Sequence, residues 1–169
     1  HWRIDLFEAV TTTFAQEILN EIQARIEVFD RAYSRFREDS LVTQMSREPG
    51  TYELPADAKP MFELYQELYQ ITEGLMTPLI GNLLVEAGYD AHYSLEPKTL
   101  HSPPAWESVL RFEPPRTLTI REPAVIDLGA MGKGYLIDLV SDLLWQRGLR
   151  SYCIDAGGDI LYRHPSPEG

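Results

Sequence analysis

The sequence predicts a mixed α+β protein, helical through its first half and built on a sheet in its second. Three observations carry that expectation. Phe14, Ile18, Ile22, Ile26, Phe29 and Tyr33 recur at three- and four-residue spacing, the period of one helix face. Short apolar segments bounded by turn residues crowd the chain after residue 105. The run Ala124–Leu128 then leads through a glycine-rich loop into a further helical pattern, the order expected of a strand feeding a crossover helix.

The elements follow in turn. Glu21 and Arg25 occupy the polar face of the first helix, and Thr13 and Gln16 have the spacing of a capping box at its start. Residues 34–40 form a dense polar loop interrupted by Phe36. Residues 55–59 introduce a second helix with Met61, Leu64, Tyr65, Leu68 and Ile71 inward and Gly74 as its stop. A shorter helix is expected from about Pro78 to Ala87, ending at Gly88. Residues 89–105 are rich in His, Pro and Ser and read as an irregular excursion.

Strands are expected at Ser108–Phe112, Thr117–Arg121 and Ala124–Leu128. A helix over 133–147 carries Tyr135, Leu139, Leu143 and Leu144 on one side and stops at Gly148. Strands Ser151–Ala156 and Ile160–Arg163 flank the turn Gly157-Gly158-Asp159. Strand 124–128, helix 133–147 and strand 151–156 make a candidate βαβ unit with a right-handed crossover. The last predicted strand leaves a sheet edge uncovered, so more protein is expected to follow.

At 169 residues the chain suits one domain or most of one. An apolar fraction of 44% and a charged fraction of 24% argue for a globular protein and against disorder. The net charge of −11 argues against nucleic acid as a partner, because phosphate backbones need clustered Lys and Arg. Cys153 is the single cysteine, which excludes an intrachain disulfide. His1, His92, His101 and His164 lack metal-ligand spacing. No run approaches the ~20 apolar residues of a membrane span. Residue 1 is His and not Met, so the native N-terminus is expected to be absent, any leader or anchor would be absent with it, and localisation is not readable directly.

The most informative stretch is Ile126-Asp127-Leu128-Gly129-Ala130-Met131-Gly132-Lys133-Gly134-Tyr135. Asp127 either sits at the carboxyl edge of a sheet, where ligands collect, or caps the next turn. Lys133 faces the positive end of a helix dipole, which is unfavourable unless an anion intervenes. The nucleotide P-loop is excluded, since Gly134 follows Lys133 and Asp127 stands at the first glycine position. Glycines at 129, 132 and 134 do not make the dinucleotide fingerprint either. Two readings stay open: an anion or metal-phosphate site, or a structural turn with a solvated lysine. Gly157-Gly158-Asp159 is either a neighbour of the Lys133 loop or a plain hairpin turn.

Four segments, taken in order, resemble the ApbE family of flavin transferases, enzymes that move FMN from FAD onto a protein. They are Phe29-Asp30 with Tyr33–Ser40, Ile71–Pro78, Ile126–Tyr135 with Asp138, and Ala156–Ile160. The resemblance implies an ApbE/T-fold-like α+β fold, with residues 1–169 as the N-terminal part of the transferase domain. It implies Mg²⁺-dependent transfer of FMN from FAD to a Thr or Ser hydroxyl of an acceptor protein, with release of AMP. Phe36, Leu75, Met76, Thr77, Asp127 and Lys133 match cofactor-binding positions, and Ala130 matches a backbone carbonyl that binds Mg²⁺.

The resemblance also implies a cell-envelope or periplasmic location with a lipid anchor. It assigns no catalytic residue to this chain, because the family's serine-histidine segment and its Asp and Thr metal ligands lie in a second half. Thr77 departs from the pattern by standing where an Asp is usual, and the family's opening Met-Gly-Thr is not present. Two other readings remain: Mg²⁺-dependent hydrolysis of FAD to FMN and AMP, and a flavin-binding module without catalysis. Weak or absent FAD binding is expected of these 169 residues alone.

Overall fold

The computed structural model describes residues 2–164. They divide into two compact units, one within His1–Phe29 and Met131–Gly169 and the other within Asp30–Ala130.

The first unit is built on a three-stranded antiparallel sheet. β1 (Trp2–Leu6) and β6 (Asp159–Arg163) flank β5 (Tyr152–Ala156). Ala156 pairs with Asp159, so Gly157 and Gly158 alone make the turn. Their φ angles of 69° and 102° are the positive values that a tight two-residue hairpin turn requires.

Helix α1 (Thr12–Tyr33) buries Ile18, Ile22 and Phe29, as its periodicity predicts. Its cap lies earlier than expected. Thr11, not Thr13, accepts the Phe14 N–H through Oγ1 at 3.2 Å. Helix α6 (Gly129–Gln146) starts at Gly129 rather than 133 and buries Leu136, Ile137, Val140 and Leu144. The expected Tyr135, Leu139 and Leu143 side is only half-buried. Ser141 decides the rotation: its Oγ lies 2.8 Å from the Tyr152 hydroxyl, which draws that face onto β5. Arg147 joins α6 to α1 through Glu17 and Glu21, at 3.1 and 3.5 Å.

The second unit has its own antiparallel sheet, with β4 (Thr117–Ile120) between β2 (Gly50–Glu53) and β3 (Leu110–Glu113). The sequence reading missed β2. It also began β3 too early, because Trp106–Val109 forms the short helix α5. Helix α2 is Leu41–Met45, capped by Ser40. Helix α3 (Ala58–Ile71) turns Ala58, Met61, Phe62 and Tyr65 inward. Leu64 and Ile71 are exposed instead. The contact that sets this register is Phe62, whose ring stacks on Phe112 with centroids 5.0 Å apart.

A 3₁₀ turn at Pro78–Ile80 leads into α4 (Gly81–Glu86), and Gly88 follows with φ 91°. Segment 124–128 is not a strand, and no βαβ unit forms. All strand pairs among the described residues are antiparallel. Ala124, Ile126 and Leu128 are buried in alternation, which is the pattern that suggested a strand. Alternation reports an extended backbone with one covered face; it does not report a ladder partner. This segment lies against α4 instead. A Cβ on Gly81 would stand 2.3 Å from the Val125 carbonyl oxygen, an approach only glycine permits. No helix among the described residues is long and apolar enough to cross a membrane.

Candidate functional site

Asp127 is the hub of the second unit's candidate site. Its N–H donates to the Pro78 carbonyl at 2.8 Å. Its Oδ1 accepts the Gly129 N–H at 2.7 Å, closing a local turn that fixes the start of α6. Its Oδ2 accepts from Arg35 Nε in an ion pair. Those two side chains are 12% and 5% exposed, so the pair is close to fully withdrawn from water. Buried charges of this kind persist only when paired and hydrogen-bonded, and Arg35 gains a further acceptor in the Tyr89 carbonyl at 3.0 Å.

Arg35 was the residue that sequence reasoning left without a role, because a charged loop reads as solvated. The available signal was its place beside Phe36 in a chain with a distant acid, Asp127, in an alternating apolar segment. Its guanidinium lies over Phe36 and Tyr89, 4.3 and 4.9 Å from the ring centroids. Tyr89 and Tyr93, also unassigned by the sequence, complete an aromatic cluster with Phe36. The Tyr89 phenol is held above its ordinary pKa, chiefly by a hydrogen bond with Tyr93 and then by burial.

The Thr77 segment reaches the same place. Thr77 is buried, and its Oγ1 accepts the Leu79 N–H at 3.1 Å, capping the 3₁₀ turn. Met76 is half-buried, with its N–H donating to Thr72 Oγ1 at 2.9 Å. Leu75 is 85% exposed, too open to be a core residue. The fold therefore brings Phe36, Asp127 and the Thr77-Pro78 segment together through Arg35 and the Pro78 carbonyl. Ala130 is exposed in the first turn of α6. No group of three or more His, Cys, Asp or Glu that could hold a metal exists among the described residues. One backbone carbonyl is not a Mg²⁺ site by itself, so the described residues do not fit that ion unaided.

Lys133 belongs to the first unit, four residues into α6. The anion that its position near the helix N-terminus calls for is supplied by Asp159, with Nζ to Oδ2 at 3.0 Å. Both sequence readings of Gly157-Gly158-Asp159 hold: the glycines make a hairpin turn, and Asp159 reaches Lys133.

The ApbE family profile matches residues 1–169. The chain belongs to the ApbE family. Among curated proteins, it is 23% identical to the FAD:protein FMN transferase of Haemophilus influenzae over 171 aligned residues. That alignment takes in 94% of this chain and 49% of the relative, so the chain spans about half the length of the curated relative it matches. Among solved structures, it resembles a mutant of the flavin transferase ApbE from Vibrio cholerae, with a TM-score of 0.79 and 20% identity over 99% of this chain and 60% of that one. It also resembles the apo form of the flavinyl transferase ApbE from Pseudomonas stutzeri, with a TM-score of 0.76 and 18% identity over 99% and 58%. At these identities the structural likenesses establish the ApbE fold, including its mixture of helix and antiparallel sheet.

Proposed function

We propose that this ApbE-family chain supplies the flavin-binding part of an enzyme that transfers FMN from FAD to a Thr or Ser hydroxyl of an acceptor protein. The supporting observation is the grouping around Arg35 and Asp127. A partly exposed aromatic ring, Phe36, stands beside a buried charge pair that also ties down the Thr77-Pro78 segment. Three of the four family-like segments meet there. Phe36 is the aromatic ring suited to stacking once a neighbouring side chain yields, and Leu75 and Met76 offer apolar contact. Within the first unit, taken by itself, half-exposed Lys133 is a cation suited to phosphate.

In the proposed reaction the acceptor oxygen bonds to the FMN phosphorus. The pyrophosphate P–O bond breaks, AMP leaves, and the hydroxyl proton passes to a base that these residues do not identify. The Mg²⁺ dependence that belongs to this reading would rest on ligands that the described residues do not supply. An envelope location with a lipid anchor belongs to the same proposal. The test is incubation of the full-length protein with FAD, Mg²⁺ and an acceptor domain, followed by mass spectrometry. An FMN adduct on the acceptor is the expected result. AMP release without acceptor would assign FAD hydrolysis instead, and neither product with a competent acceptor defeats the proposal.

A further inference from the structure

Phe36 does not present a clear face. Tyr93 lies parallel to it, with 7° between the ring planes and 5.5 Å between centroids. Tyr89 meets both rings nearly edge-on, at 73° and 79°. A planar ligand stacking on Phe36 must contend with the two groups already lying against the ring, Arg35 and Tyr93. Arg35 is anchored by Asp127 and by the Tyr89 carbonyl. Tyr93 is 55% exposed and sits on the excursion that follows α4.

The backbone of that excursion is tense at this residue. Tyr93 has φ 52°, the left-handed region that bulky side chains avoid and that clusters at sites of switching. The turn that holds it there is local. Asp90 accepts the N–H groups of His92 and Ser94, at 2.9 and 3.1 Å, and the Ser94 hydroxyl at 2.6 Å. Beyond it the excursion is tied back to α4. The Leu95 N–H donates to the Gly88 carbonyl at 3.0 Å, and Glu86 accepts the His101 N–H at 2.7 Å and contacts His101 Nδ1 at 2.8 Å. The segment is thus pinned on both sides of Tyr93, so a departing ring turns about its own side-chain bonds and gives up its stacking on Phe36 and its hydrogen bond with the Tyr89 phenol.

We propose that Tyr93 is a placeholder: its phenol covers Phe36 until a planar heteroaromatic ring, the flavin of FAD, takes its place. This rests on the flavin reading above and goes beyond it by assigning a residue that competes with the ligand. Tyr93 can leave because it is exposed and is kept in place only by ring contacts and one hydrogen bond with the Tyr89 phenol, while its backbone stays fixed. Arg35 and Tyr89 stay behind as the frame of the site.

The experiment is a fluorescence titration of FAD into full-length protein carrying Tyr93→Ala, Tyr93→Phe, Phe36→Ala, and Phe36→Ala with Tyr93→Ala. An aromatic pair of this kind is worth about two- to tenfold in an equilibrium constant. Tyr93→Ala is expected to tighten FAD by that factor, and Tyr93→Phe, which keeps the ring but loses the hydrogen bond with Tyr89, to tighten it less. Phe36→Ala should weaken binding and erase the gain from Tyr93→Ala, since the two rings act on each other. Unchanged or weaker FAD binding by Tyr93→Ala overturns the placeholder while leaving the flavin reading intact. So does a gain that persists without Phe36. Absence of FAD binding by the wild-type protein removes the flavin reading, and this inference with it.

Discussion

Lys133 Nζ lies 3.0 Å from Asp159 Oδ2, with both side chains about half exposed. The pair joins the glycine-rich segment at the start of α6 to the first residue after the Gly157-Gly158 turn. An exposed pair contributes little to stability, so its geometry leaves Lys133 available to an arriving phosphate. Lys133→Ala is expected to weaken FAD binding about tenfold, the weight of one charge-assisted contact. Thermal stability should stay within about 1 °C of wild type. Calorimetric titration with a parallel melting curve checks both. Unchanged affinity would remove Lys133 from the site.

The Arg35–Asp127 pair should behave in the opposite way. It is almost wholly buried, so removing either partner strands a charge. Arg35→Ala and Asp127→Ala are each expected to cost about 3 kcal/mol in urea unfolding. The double variant should cost clearly less than the sum. Arg35→Lys should recover little, because an ammonium cannot serve both Asp127 and the Tyr89 carbonyl as a guanidinium fork does. Simple additivity of the two single changes would show that the pair is not coupled.

Gly81→Ala tests the seat of segment 124–128. The added methyl would meet the Val125 carbonyl and Cγ1 at 2.3 and 2.7 Å, so the backbone must move. A loss of about 2 kcal/mol is expected, as for an overpacked core site. Alanine is otherwise the better helix former, so an increase in stability would refute the close packing.

Glu8 gives the first unit a pH dependence. Its Oε1 accepts the N–H groups of Arg150 and Ser151, at 2.6 and 2.8 Å. Those bonds, first that from Arg150, hold the Glu8 carboxyl below its ordinary pKa of 4.5. A depressed folded-state pKa means stabilisation that is present above the unfolded value and lost as pH falls through the folded one. Stability should therefore decline below about pH 4.5 more steeply in wild type than in Glu8→Gln. Urea midpoints from pH 7 down to pH 3 measure the difference, and identical profiles would exclude the role.

Much of the helical framework was legible in the sequence. The Phe14–Tyr33 stripe and the stops at Gly74, Gly88 and Gly148 depend on local periodicity and on positive φ, which Gly74, Gly88 and Gly148 all adopt. Sheet topology was not legible, because the partner of an extended segment is a long-range fact. Segment 124–128 alternates like a strand yet gives the Asp127 N–H to Pro78. β2 is only four residues long, too short to show a period. In the candidate site, glycines, acid and lysine stood out by residue type. Arg35 did not, because burial of a charge is decided by its partner, and Asp127 is far away along the chain. Tyr89 and Tyr93 were hidden in an excursion read as irregular.

Thr77 has a consequence for the electrical character of the site. Its hydroxyl is turned inward to hold the Leu79 N–H, a duty that an aspartate could also perform. An aspartate would add a full negative charge beside an already neutralised Arg35–Asp127 pair. Threonine closes the same turn and adds none. In a protein whose net charge is −11, this turn is electrically quiet, and Thr77 itself sets no repulsion against a polyanionic ligand.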